Sequence, residues 1–152
     1  HLETSGVEIV SLLKSQKNMN RIIINIDWVP NNFGAAPADD NIACVATGKT
    51  LDEVKKNIVE ALRFHISGMR EDGDVIPKPF ASEWVPVFEL TARAELKAAD
   101  AFITRKALAK ETGLNEQQLC HYATGLKKPR PATKKKISDG IASISRHLAA
   151  IP

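Results

Sequence analysis

The sequence predicts an α+β fold in two modules, on three observations. Ile22, Ile24, Ile26 and Trp28 recur at period two over Arg21 to Trp28, the signature of a strand with one buried face. From Thr91 onward the pattern turns helical and stays so. The charge divides at the same place: residues 1–90 carry 9 Lys/Arg against 13 Asp/Glu (−4), and residues 91–152 carry 12 against 5 (+7). An acidic, strand-rich module and a basic, helical one, joined near Leu90 to Ala92, are the expected organisation, with the basic module facing a polyanion.

The elements follow in order. Residues 1–18 are expected to be an N-terminal extension, in part added or read-through sequence, with a short helix over Val7 to Leu13. Residues 19–90 form the first module. After the strand Arg21 to Trp28, the turn signal Pro30-Asn31-Asn32 leads into a second strand over Phe33 to Pro37 and a third over Ile42 to Ala46, an antiparallel meander. Thr50 and Glu53 form a capping box, with Thr50 accepting from the N–H of Glu53 and Glu53 reaching back to the N–H of Thr50. The helix it opens carries Val54, Ile58, Ala61, Leu62, His65 and Met69 as its inward stripe, and Asp72-Gly73 stops it. Pro77 and Pro79 predict an extended loop over Val75 to Phe80. Trp84 to Leu90 is the fourth strand, placed at a sheet edge by Pro86.

Residues 91–152 form the second module. Ala92 to Ile103 is a helix whose stripe is Leu96, Ala99 and Phe102 or Ile103. Thr104 caps Arg105 to Thr112, Gly113 makes a tight turn, Asn115 caps a helix to Thr124, and Gly125 ends it. Lys127 to Pro131 is a rigid basic loop. The last helix, Lys134 to Leu148, points Ile137, Ile141, Ile144 and Leu148 inward, with apolar residues beyond what one bundle needs and so a candidate interface between copies.

Composition narrows the class. Hydrophobic residues make up 43% of the chain, enough for a folded core, and no apolar run reaches the roughly 20 residues a bilayer span needs. The first residues lack the pattern of a secretory signal. The two cysteines, Cys44 and Cys120, fall in no CxxC pair and no Cys/His cluster of zinc spacing. A reduced, cytoplasmic setting with no membrane, cofactor or metal is expected.

The chemistry concentrates between Thr104 and Arg130. Leu108 and Ala109 pack the first helix, Gly113 supplies the positive φ of the turn, and Leu114 and Leu119 anchor the second helix. Its outward residues Glu116, Gln117, Gln118 and His121 are then free to meet base edges in a major groove: Gln pairs with adenine N6 and N7, and Glu accepts from cytosine N4. Thr104 and Asn115 stand at helix N-termini, where backbone N–H groups favour phosphate, and Lys127, Lys128 and Arg130 neutralise flanking phosphates. From Ile103 to Leu148 the chain resembles the repressor-type, XRE/Cro-like helix-turn-helix family.

Upstream, Cys44-Val45, Thr47-Gly48, Thr50, Glu53-Val54, Ile58, Ala61-Leu62, Asp72-Gly73 and Ile76-Pro77 resemble the HicB antitoxin family, over about Met19 to Ile151. The resemblance implies a degenerate ribonuclease H-like N-terminal domain of order β-β-β-α-β. It also implies an antitoxin that blocks a HicA-type mRNA-cleaving toxin, represses its own operon by binding operator DNA, and works as a homodimer or higher homo-oligomer. A ligand-sensing transcriptional regulator without a toxin partner is the alternative, and it predicts a roomy pocket in the first domain. A nuclease would need a spaced carboxylate cluster. Asp27, expected at a sheet edge or facing solvent, and the loop residues Asp39 and Asp40 supply none, so no catalytic residue is assigned. His65 is expected in the core or an interface, Cys44 as a small buried residue, Trp28 and Trp84 in the core, and Cys120 on the recognition helix without a reactive environment.

Overall fold

A computed structural model describes residues 6–10, which are helical, and residues 19–152; the rest of the expected Val7 to Leu13 helix lies outside the described residues. Over residues 19–152 the chain forms four strands and six helices, a mixed α+β architecture.

Strand β1 (Asn20–Val29) points Ile22, Ile24 and Ile26 to one side, all buried, as period two requires. Asn31 takes φ 69° in the turn into β2 (Asn32–Pro37), which pairs antiparallel with β1 from Ile24↔Pro37 to Val29↔Asn32. The third strand is shorter and later than expected: β3 is Ala46–Gly48, not Ile42 to Ala46. The side chain of Asp39 accepts from both Asn41 N–H groups, 2.9 Å and 2.7 Å away, and this turn carries the chain off the ladder just after Pro37. Ile42 is nevertheless buried, at the start of that irregular segment.

Thr50 caps helix α1 (Leu51–Glu71), its Oγ1 accepting from the N–H of Glu53 at 3.1 Å. The return half of the capping box differs from expectation, because Glu53 accepts from the N–H of Lys49 (3.3 Å) rather than from Thr50. The buried stripe of α1 is Val54, Ile58, Leu62 and Ile66. His65, placed inward by the sequence reading, is exposed, and Met69 and Ala61 are half-buried; a strict i, i+4 progression turns the stripe through Ile66 instead. Within the expected loop, Lys78–Ala81 forms a helical turn, α2, with Pro77 at its start, and Phe80 inserts fully into the core against Trp84 (ring centroids 5.6 Å apart, 73° between planes). Proline is tolerated there because first-turn N–H groups have no intrahelical partner.

β4 (Trp84–Leu90) returns beside β1 and runs parallel to it, giving the sheet order β3-β2-β1-β4 with Pro86 on an edge strand. Helix α1 covers the isoleucine face. The opposite face carries Ile23 and Val29 of β1, both exposed, and the alternate residues of β4.

The second module begins without a linker. The N–H of Thr91 donates to the carbonyl of Ile26 (3.0 Å), and the Thr91 hydroxyl accepts from the N–H of Ala94 to cap α3 (Ala92–Ala99). This helix ends earlier than expected. Asp100 is pulled into a bidentate pair with Arg105 (3.2 Å and 2.7 Å), and of the two residues expected to close the apolar stripe Ile103 packs against the core while Phe102 is exposed. Helix α4 (Arg105–Thr112), α5 (Glu116–Thr124) and α6 (Pro131–Ala149) complete the bundle around Ala92, Leu96, Leu108, Leu119, Tyr122, Ala123 and Ile137. The last helix starts at Pro131, three residues before the expected Lys134. Ile141 and Ile144 pack against the core, whereas Leu148 is exposed rather than inward, since the side of this last stretch that meets α4 is the one carrying Ser143 and His147, which bond Glu111.

Candidate nucleic-acid interface

The turn between α4 and α5 is fixed by backbone conformation. Gly113 adopts φ 74°, and its N–H bonds the carbonyl of Ala109 (2.9 Å). Asn115 then caps α5, its Oδ1 accepting from the N–H groups of Gln117 (2.8 Å) and Gln118 (3.3 Å). Leu119, Tyr122 and Ala123 bury the inner face of α5. The outer face is consequently oriented by packing, and Glu116 and Gln117 stand exposed in its first turn.

The remaining candidates divide. Gln118 is half-buried, and its Nε2 donates to the Tyr122 hydroxyl at 2.6 Å, so one of its polar atoms is already engaged. His121 is half-buried, and its carbonyl accepts from the N–H of Lys127 (3.2 Å), which folds the basic loop back on the helix end. Lys127, Lys128 and Arg130 are exposed, and Arg130 occupies the position before Pro131 at the start of α6. Thr104 caps α4 by accepting from the N–H of Ala107 (3.1 Å). Of the two candidate phosphate-binding helix starts, α4 thus has one first-turn donor and α5 two taken by their own caps. Cys120 is half-buried beside Arg105, whose guanidinium is held further toward the charged form by its bonds to Asp100.

The structure brings Asp27 into a network the sequence reading did not foresee. β1 is an interior strand, so Asp27 is not at an edge; it lies on the face away from the isoleucines, its side chain more than a third exposed, as the other expected position had it. Its carboxylate accepts from Arg93 Nε (3.1 Å) and Nη2 (2.8 Å), from the Thr91 hydroxyl (2.6 Å) and from the N–H of Trp28 (2.7 Å). Burial pushes its pKa up, but these bonds, led by Arg93, outweigh that and leave it below the usual carboxylate value. Arg93 also packs over Gly125, the φ 81° residue that ends α5; a Cβ there would lie 2.7 Å from Arg93 Nη1. The only sequence signal for this contact was a carboxylate on β1 and an Arg just past the module boundary. On the far side of α3, Glu95 bonds the Ser138 hydroxyl (2.8 Å) and Lys134 (3.4 Å) of α6.

Other singled-out groups lie apart from this face. Cys44 is half-buried against the first core, and burial raises its thiol pKa. Trp28 and Trp84 pack against the same core. Asp40 is exposed, and among the described residues no three His, Cys, Asp or Glu side chains gather closely enough to hold a metal. No described helix is long and apolar enough to cross a membrane. No protein-family model matches the chain, and no curated protein matches it.

Proposed function

We propose that the chain is an antitoxin-type repressor, whose helical module reads operator DNA through α5 and whose sheet module masks a HicA-type RNA-cleaving toxin. The observation that carries the DNA half is the exposed first turn of α5, with Glu116 and Gln117 outward, set beside exposed Lys127, Lys128 and Arg130 on a helix anchored by Leu119, Tyr122 and Ala123. A helix held by its inner face, with polar outer residues and cations at its flank, has the parts for base reading and phosphate neutralisation. His121 extends the reading face by one turn, and Gln118 contributes its free carbonyl oxygen. Thr104 and Asn115 shape the helix starts that carry these side chains.

The toxin half is supported by the resemblance, by the −4 charge of residues 1–90 against the basic surface an RNA-binding toxin needs, and by an element order that follows the β-β-β-α-β expected of a degenerate ribonuclease H-like domain apart from the inserted helical turn α2. One helix-turn-helix covers a short half-site, so the working form is a dimer or larger.

The full-length chain tests both halves. On DNA from its own promoter, Gln117→Ala and His121→Ala each lower specific binding by about 1–3 kcal/mol and leave scrambled DNA unaffected. Lys128→Ala weakens both DNAs and reduces the salt slope by about one. Equal losses for all three variants on both DNAs refute the assignment of α5. Co-purification of the wild-type chain with the small basic protein encoded beside it, with loss of that protein's RNA cleavage, tests the toxin half; undiminished cleavage refutes it.

A further inference from the structure

A cleft of about 860 Å³ opens where the sheet meets the basic loop, and both modules line it. Four cations converge there from three elements: Arg93 of α3, Lys127 and Lys128 of the loop after α5, and Lys134 of α6. Three carboxylates face them. Two are already spent, Asp27 on Arg93 and Glu95 on Lys134. What remains, among the described residues, is Lys127 and Lys128 without an ion pair, the Nη1 of Arg93 without a hydrogen bond, and a single unpaired carboxylate, Glu89. Phe88 and Tyr122 add apolar wall. The unspent charge on the lining is thus two adjacent lysines of one loop and a guanidinium edge from α3, opposed by one carboxylate.

We propose that this cleft is a phosphate-binding site. A tetrahedral dianion offers acceptors to donors arriving from several sides, and its charge matches the two unpaired ammonium groups. The bound phosphate belongs either to a free phosphorylated compound or to the backbone of the nucleic acid that Lys127 and Lys128 also flank. In the first case the two ligands compete for the same lysines, which makes the cleft a point of control over DNA binding. The site does not depend on the assignment of α5, so its failure would leave the Gln117→Ala result untouched, and the converse also holds.

Inorganic phosphate, as the dianion, is titrated into the full chain by calorimetry at constant ionic strength, with backbone amide NMR to locate it. Saturable binding is expected, with shifts at Thr91, Arg93 and Gly125. Glu89→Gln removes the one unpaired carboxylate and tightens binding about threefold, a change of the size expected for one charge in a solvated cleft. The double variant Lys127→Ala/Lys128→Ala weakens it at least about tenfold. A second arm measures scrambled duplex DNA. If Glu89→Gln raises duplex affinity by the same factor, the backbone phosphate is the ligand; if duplex affinity is unchanged, a free phosphorylated compound is. The absence of saturable binding, indifference to either variant, or amide shifts that spare Thr91, Arg93 and Gly125 overturns the proposal.

Discussion

Gly140→Ala tests how α6 is held to α4. Glycine in a helix interior normally costs about 1 kcal/mol relative to alanine, so propensity alone predicts stabilisation. The structure predicts the reverse. A Cβ at Gly140 would overlap the Cγ2 methyl of Thr112 and come within 3.4 Å of Leu108 Cδ1. Thr112 is not free to turn its methyl away. Its hydroxyl donates to the carbonyl of Leu108 (2.7 Å) and accepts from the N–H of Leu114 (3.2 Å), which is also what shapes the turn toward α5. Keeping those bonds leaves an overpacked contact worth about 1–3 kcal/mol. Releasing them loses two hydrogen bonds at about 0.5–1.5 kcal/mol each. Either route costs about 1–3 kcal/mol before the propensity gain is returned, for a net loss of up to about 2 kcal/mol and a fall in Tm of up to about 8 °C in a chain of this size. Urea unfolding reads the loss, and Thr112→Ser supplies the control, since serine keeps the hydroxyl and drops the methyl. Gly140→Ala in that background recovers most of the loss. A Gly140→Ala chain more stable than wild type, or a double variant that is simply additive, refutes the argument.

Asp27 titrates below the ordinary carboxylate value in the folded chain, so its contribution is present above the unfolded value of about 4 and is lost as pH falls through the folded one. Urea unfolding across that acid range should show a shallower decline for Asp27→Asn; because the pair with Arg93 is more than a third exposed, the difference stays below about 1 kcal/mol, and an unchanged profile removes Asp27 from the network. His65→Ala should leave stability within about 0.5 kcal/mol, while Ile66→Ala costs about 2–5 kcal/mol; the opposite ranking by thermal unfolding would restore His65 to the core.

The elements legible in the sequence were those written by local rules. Gly113 and Gly125 end helices in the left-handed conformation that glycine adopts most easily, and Thr50, Thr104 and Asn115 each cap the helix that follows. These features bounded α4 and α5 to the residue, and the outward set on α5 followed from its buried set. Three features were not legible because they depend on distant partners. The start of β3 is set by the Asp39 turn and the pairing of Ala46 with Ala35. The burial of Phe80 needs Trp84 beside it, and the role of Asp27 needs an arginine 66 residues away. His65 and Ile66 are adjacent, so a stripe traced at spacings of three and four admits either until the helix is seated on the sheet.

Helix α3 belongs to two cores at once: Ala94 packs among the isoleucines of the sheet, while Ala92 and Leu96 pack with Leu108 and Leu119. A cut after Leu90 would therefore take the buried Ala94 from the sheet core, leaving a hole among the isoleucines, and would also break the Thr91–Ile26 bond. Heating should melt both modules in one transition rather than two. Protease should find no early nick at the junction. A chimera that exchanges either module for a foreign one would have to carry α3 with it and still fit the surface left behind, so these two halves are poor candidates for independent trade between proteins.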